Sequence, residues 1–353
     1  MIKSHYSLGL IITVFCSSTL FGCSLFSDDS SPEVITNSTV KEDPIQPQPI
    51  QEETPPTFET CKITFNDNLE SYKGYIKRER SYSEFENSYG LKYTDFQKNV
   101  DFQKVIKDCL PIAVEENNSE AQYNVAYSYK ILSNFDWNNS INGFPYNDWS
   151  KEYLEYAYWI TKAAEQGHVK AQGMASAMYY SGRGGGLGKK DLVEADYAKA
   201  LKFASKAAAK NDVIGIDTLA EMYRLGHGVK KDLRKAFNLY KKGYELGDPD
   251  CTWSLGLATC VGEGTAKNYS KGVNLLDEAV RMQDPLSPSN EWHTFMLAEA
   301  YEKGSYVRSD MKKFKKNDEK ALEYYRLSCD KGYGFGCKIW KEKSFRYKYR
   351  GSL

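Results

Sequence analysis

The sequence has no net charge. Its 47 Lys and Arg balance 47 Asp and Glu over 353 residues, which argues against a dedicated nucleic-acid binder. It has little histidine: His168, His227 and His293 are the only ones beyond the first residues. None stands with Cys, Asp or Glu at zinc spacing, so no metal is expected. Each falls at a loop or helix-start position and is expected to be solvated. No cofactor fingerprint is present. Gly182 to Lys189 is rich in glycine, but Arg183 stands where a phosphate loop needs its first Gly and Lys190 replaces the Ser or Thr. Two S-x-x-K tetrads occur, Ser309 to Lys312 and Ser328 to Lys331, without the S-D-N or K-T-G that a penicillin-binding site requires. Catalysis is therefore not the expected role.

What is present begins with an address. Lys3 precedes the apolar stretch Leu8 to Phe15, which is too short and too broken by Ser and Thr to stay in a bilayer as a helix. Leu20-Phe21-Gly22-Cys23 follows and resembles a bacterial lipobox. The resemblance implies a signal peptide over 1–22 and a lipid on Cys23; a plain signal peptide with a stray Cys is the alternative. Phe21 is bulkier than that pattern prefers. Ser24, where an Asp would retain the protein at the inner membrane, points to the outer membrane, facing the periplasm. Residues 23–60 carry six prolines and few apolar side chains and are expected to form a disordered tether.

The charge is unevenly spread. Asp28 to Glu59 has one Lys against eight acids, and Glu302 to Arg350 has fifteen Lys and Arg against seven acids. The basic end suits an acidic partner or anionic headgroups, or is a solvated helical face.

Beyond residue 118 the chain repeats itself. Ala200 to Asn211, Ala236 to Gly247, Gly272 to Gln283 and Ala321 to Gly332 share one helical pattern with an offset of eleven residues. Gly167 closes an earlier copy. These are the B helices. The A helices end at Gly182, Gly226, Gly262 and Gly304. Seven, four and three residues before those glycines stand Ala175, Met178 and Tyr179, with Leu219, Met222 and Tyr223 as their counterparts, a buried helical stripe. Extra length falls mainly between A and B, at Arg183 to Glu194 and Ser305 to Lys316. Helices of fixed length with variable loops are what stacked hairpins require.

The run Leu219-Ala-Glu-Met-Tyr223-Arg-Leu-Gly226-His-Gly228-Val-Lys-Lys-Asp232-Leu-Arg-Lys-Ala236 resembles the Sel1-like repeat family, over about Ser119 to Trp340. The resemblance implies an all-α, right-handed α/α solenoid of about five hairpins that binds another protein. Lipoproteins of this kind are similar to immunity proteins against secreted phospholipase toxins and to envelope adaptors. An envelope hydrolase acting on β-lactams or peptidoglycan is the alternative, suggested by the cysteine-rich Helicobacter branch of the family. The expected order is signal peptide 1–22, lipidated Cys and linker 23–60, helical cap 61–118, repeats 119–344 and basic tail 345–353. Asp101 to Asn118 reads as a degenerate first B helix. Asn211, Gln283 and Gly272 depart from the family pattern.

Cys329 and Cys337 flank a B-to-A turn whose antiparallel helices bring them within disulfide reach, as in the cysteine-rich branch; two core cysteines are the alternative. Cys61 with Cys109 is a further possible pair. Cys251 and Cys260 on one helix would be about 13 Å apart and cannot bond each other. Leu132 to Trp149 reads as a long A–B loop. Its Phe135, Trp137, Phe144, Tyr146 and Trp149 either form a partner-binding hot spot or tuck back against Tyr153 and Tyr156.

Overall fold

A computed structural model describes residues 55–82, 100–140, 150–182, 193–282, 289–305, 307–331 and 333–349. The signal segment, Cys23, the linker up to residue 54 and the glycine-rich stretch 183–192 lie outside the described residues. Among the described residues there are thirteen helices and no strand. They are α1 (Phe58–Tyr82), α2 (Phe102–Glu115), α3 (Ser119–Ser140), α4 (Ser150–Glu165), α5 (Val169–Ser181), α6 (Tyr197–Ala209), α7 (Val213–Leu225), α8 (Leu233–Glu245), α9 (Pro249–Val261), α10 (Tyr269–Arg281), α11 (Ser289–Lys303), α12 (Asp318–Asp330) and α13 (Gly334–Tyr349). The odd-numbered helices from α3 to α11 are A helices. Each pairs with the B helix after it to make five hairpins, with α2 a B helix before them and α13 an A helix after them. Contacts run mainly between neighbours in the chain, as an α/α solenoid requires.

The helices start and stop by recurrent local chemistry. Five B helices open on an Asx residue whose side chain accepts from the backbone N–H of a lysine three residues on: Asp101 from Lys104, Asp196 from Lys199, Asp232 from Lys235, Asn268 from Lys271 and Asn317 from Lys320. That satisfies an otherwise orphaned N–H at each helix start. The B helices close in the left-handed region at Gly167 and Gly247, and at Asn117 and Asn211 where Asn replaces Gly. The next residue then donates back into the last turn: His168 to Ala163, Asp212 to Ala207 and Asp248 to Gly243. The Asn departures therefore keep the Gly geometry.

The two glycines of the G-x-G stretch have different reasons. Gly226 and Gly262 end A helices in left-handed conformation. Gly228 and Gly264 let the loop lie against the start of the preceding B helix. A Cβ on Gly264 would fall inside the contact distance of the Leu233 carbonyl and 3.0 Å from the Arg234 Cα. A Cβ on Gly228 would fall 2.9 Å from the Tyr197 Cβ.

The four A–B loops that follow α5, α7, α9 and α11 differ in length, and their ends are pinned alike. The backbone N–H of the B-helix cap donates to the carbonyl of the residue three before the A-helix glycine: Asp196 to Tyr179, Asp232 to Tyr223, Asn268 to Thr259 and Asn317 to Tyr301, at 2.8 to 2.9 Å. Where that residue is Tyr, the lysine three residues into the B helix lies over its ring: Lys199, Lys235 and Lys320 at 4.8, 5.1 and 5.1 Å.

B-to-A turns are close because small residues face each other. Ala207 meets Gly215, Gly243 meets Cys251 and Ser328 meets Gly336, each at a distance a further Cβ would violate. Cys251 thus fills the small-residue position expected of it. Both Cys251 and Cys260 are free and buried. Cys329 is joined to Cys337, and Cys61 to Cys109. The 329–337 bridge lies one position on from the small-residue contact.

Three boundaries differ from the sequence expectation. Helix α3 runs to Ser140, so Leu132 to Ser140 is helix and not loop. The reason is covalent. Leu132 stands where the other A helices have their glycine, and no Gly or Pro follows before Gly143. Phe135 and Trp137 therefore lie on the last turns of α3, while Phe144, Tyr146 and Trp149 lie outside the described residues. Helix α1 begins at Phe58, inside the stretch read as linker, with Thr57 as its hydrogen-bonded start. Helix α13 continues to Tyr349, into the stretch read as a basic tail. Within the expected cap, α1 is described as far as Tyr82, and 83–99 lie outside the described residues.

Candidate functional site

The A helices present two registers of side chains that change character along the array. Three residues past each B-helix closing position stand Glu120, Lys170, Ile214, Asp250 and Phe335, with Trp292 the equivalent in α11. Charged at one end, the row becomes aromatic at the other. Ile214, Trp292 and Phe335 are 39%, 47% and 54% exposed. Trp292 and Phe335 belong to one ring cluster. Trp292 lies 6.1 Å from Phe295 and 6.0 Å from Tyr333, and Tyr333 lies 5.8 Å from Phe335. Two large apolar side chains left open to water, on a rigid helical support, are the composition of an interface centre.

The second register stands nine residues before the A-helix glycine and meets the start of the next A helix. Tyr123, in the same place on α3, stacks on His168 at 4.5 Å; Trp253 stacks on His293 at 4.3 Å; Phe295 packs on Tyr333 at 5.1 Å. Where the register holds Gly173, the space is taken by the Asp212 carboxylate that caps α7. Where it holds Asp217, the neighbour is the Cys251 thiol at 3.9 Å.

The histidines are consequently not solvated, contrary to expectation. His168 caps α5 by accepting from Ala171 and is bonded to Glu120 at 3.0 Å. His227 stacks on Tyr197 at 4.8 Å, with its Nδ1 buried and lacking a partner among the described residues. His293 lies between Trp253 and Asp250, and burial holds its pKa down to about 4. Loop and helix-start positions are buried here because each is covered by a ring of the preceding hairpin, which a single-hairpin reading of the sequence does not register.

A pH dependence follows from His293. In the unfolded chain it takes a proton near pH 6.5, and in the folded chain only near 4. Between these values acid favours the unfolded state, so stability falls as pH drops from 6.5 to 4 and the loss levels off below. His293→Gln removes this component. Urea titrations at pH 7 and pH 4.5 are expected to show a smaller acid loss in the variant than in the wild type. An equal loss refutes the assignment.

Carboxylates gather at the middle of the array. Burial first, then Glu221, Asp250 and Asp248, push the Asp217 carboxyl well above the usual range. Glu221 is held by Arg224 at 2.6 Å and accepts from the Tyr240 hydroxyl. Among the described residues no group of His, Cys, Asp and Glu is arranged to hold a metal ion. No described helix is long and apolar enough to cross a membrane.

Ser328 is fully buried at a B-to-A turn, and Lys331 donates to the Val280 and Met282 carbonyls, closing the end of α10. Ser309 is exposed in the turn before Met311. The ring cluster around Trp292 was missed in the sequence. Its signal was there in the shared register of Trp292 and Phe335, but the six extra residues Asp284 to Ser289, before and at the start of α11, obscure its alignment.

The Sel1 repeat family matches residues 119–130, 157–168, 175–212, 219–248, 249–284 and 294–333. An uncharacterized protein of Neisseria meningitidis serogroup B is 42% identical over 174 residues, 49% of this chain and 31% of that protein. The chain thus spans about a third of the length of that relative. Among solved structures, a Sel1 repeat protein from Oxalobacter formigenes is 21% identical, with 77% of this chain and 87% of that one covered and a TM-score of 0.49. Cysteine rich protein B of Helicobacter pylori is 28% identical, with 40% and 93% covered and a TM-score of 0.29. The matched stretches fall on the hairpins from α3 to α12, and this part of the chain is an array of Sel1 repeats.

Proposed function

We propose that this Sel1 repeat array is a binding scaffold of the bacterial envelope, tethered through a lipid on Cys23 to the outer membrane and facing the periplasm. Its partner is another protein, which it holds as an immunity protein or as an envelope adaptor. Sel1 repeat scaffolds typically bind proteins. The single observation that carries the reading is the open ring cluster on α11 and α13, with Trp292 and Phe335 each half-exposed and joined through Tyr333. The aromatic residues Phe135, Trp137, Phe144, Tyr146 and Trp149 are a second candidate contact.

The test uses the chain without its signal segment as bait in detergent extracts of the envelope. A protein enriched by the wild type and lost with Trp292→Ala/Phe335→Ala supports the reading. Equal recovery by both baits defeats it. Cys23→Ala is expected to move the protein from the membrane pellet to the soluble fraction, and a variant that stays in the pellet removes the lipid anchor from the proposal.

A further inference from the structure

Lys130, near the end of the expected A-helix span of α3, lines a half-open cavity of about 240 Å³. Its walls are Tyr153 and Tyr156 of α4, Met174 and Met178 of α5, and Ile214 of α7 at the mouth. The tyrosines and methionines are buried. Lys130 stands two residues before Leu132, the place held by Arg224 and Glu302 in other A helices. Those two charges are answered: Arg224 by Glu221, and Glu302 by Lys343. In α3 the residue matching Glu221 is Tyr127, and no carboxylate is bonded to the Lys130 ammonium among the described residues. Its apolar surroundings alone push its pKa down.

A cation in a largely apolar pocket, with no carboxylate bonded to it among the described residues, offers half of an ion pair. One ammonium matches one carboxylate, whereas a phosphate dianion calls for more donors than the pocket has. The methionines offer an adaptable wall to an apolar body.

We propose that this cavity binds a carboxylate bearing a short apolar chain, with the carboxylate on Lys130 and the chain against Met174, Met178 and Ile214. A free aliphatic acid and the last residue of a protein chain share this chemistry. The inference stands apart from the protein-binding reading of the Trp292 cluster.

The test is calorimetric titration of the chain without its signal segment. The ligands are octanoate against 1-octanol, and acetyl-Gly-Gly-Leu with a free carboxylate against its amide. At least one carboxylate is expected to bind, with its neutral counterpart weaker by about tenfold or more. Octanoate binding assigns a free acid; peptide binding assigns a chain terminus. Lys130→Met is expected to lose about tenfold or more in affinity while melting no lower than the wild type, since it removes a half-buried charge that no described carboxylate answers. Ile214→Trp keeps the lysine and blocks the mouth, and is also expected to abolish binding. If Lys130→Met fails to fold, Ile214→Trp decides, and wild-type affinity there overturns the proposal. It is also overturned if neither carboxylate binds the wild type at millimolar concentration, or if folded Lys130→Met binds as the wild type does.

Discussion

A chain carrying Cys61→Ala and Cys109→Ala is expected to lose about 4 kcal/mol of stability at its N-terminal helix. The bridge closes a loop of 48 residues, so its loss returns much conformational entropy to the open state. What remains to hold α1 is modest. Thr64 donates to Asp108 at 2.9 Å, Asn68 accepts from the Asp101 backbone, and Phe65 packs on Tyr123 and Tyr127. Helix α1 packs mainly on α2 and α3, with a minor contact to α12, so the effect is expected to be centred on α1 to α3. Hydrogen exchange should show amides of α1 and α2 losing protection while those of α6 to α10 keep theirs. Uniform loss along the array, or none at α1, contradicts this. Removing the 329–337 bridge opens a loop of only eight residues and is expected to cost less, about 2 to 3 kcal/mol.

Gly264→Ala is expected to destabilise the array by about 3 kcal/mol, the sum of a left-handed non-glycine residue and an overpacked contact. The contact is with backbone, the Leu233 carbonyl, which has no rotamer to change. Gly247→Ala is the control. Its φ is also positive, at +80°, but a Cβ there meets nothing within 4 Å, so only the conformational part remains, about 1 to 2 kcal/mol. Urea titration of the two variants separates the terms. Equal losses mean that the loop after α9 does not press on α8.

The helices were legible because their signals are local. A glycine or asparagine in the left-handed region, an Asx cap, and a stripe at i, i+3 and i+4 each act within a few residues, and all recur. Misreadings arose where a signal was absent or non-local. Leu132 in place of a glycine let α3 run on to Ser140. His168 and His293 looked solvated because the rings that cover them, Tyr123 and Trp253, lie 45 and 40 residues away in sequence. The Lys130 cavity was invisible for the same reason, since its walls come from four helices. The open pair Trp292 and Phe335 was countable, but only once the register through the extra residues Asp284 to Ser289 was known.

The pinned A–B loops carry a consequence for how such a chain can change. The carbonyl of Tyr179 and the N–H of Asp196 meet as those of Tyr223 and Asp232 do, although one loop is eight residues longer. The ends of the loop are fixed before its content matters. Doubling a flexible loop's length costs only about 0.6 kcal/mol of closure entropy. Foreign sequence placed between Gly226 and Asp232 should therefore be displayed on an undisturbed frame. Each hairpin acts as a socket, and what is plugged into it can be exchanged without rebuilding the rail.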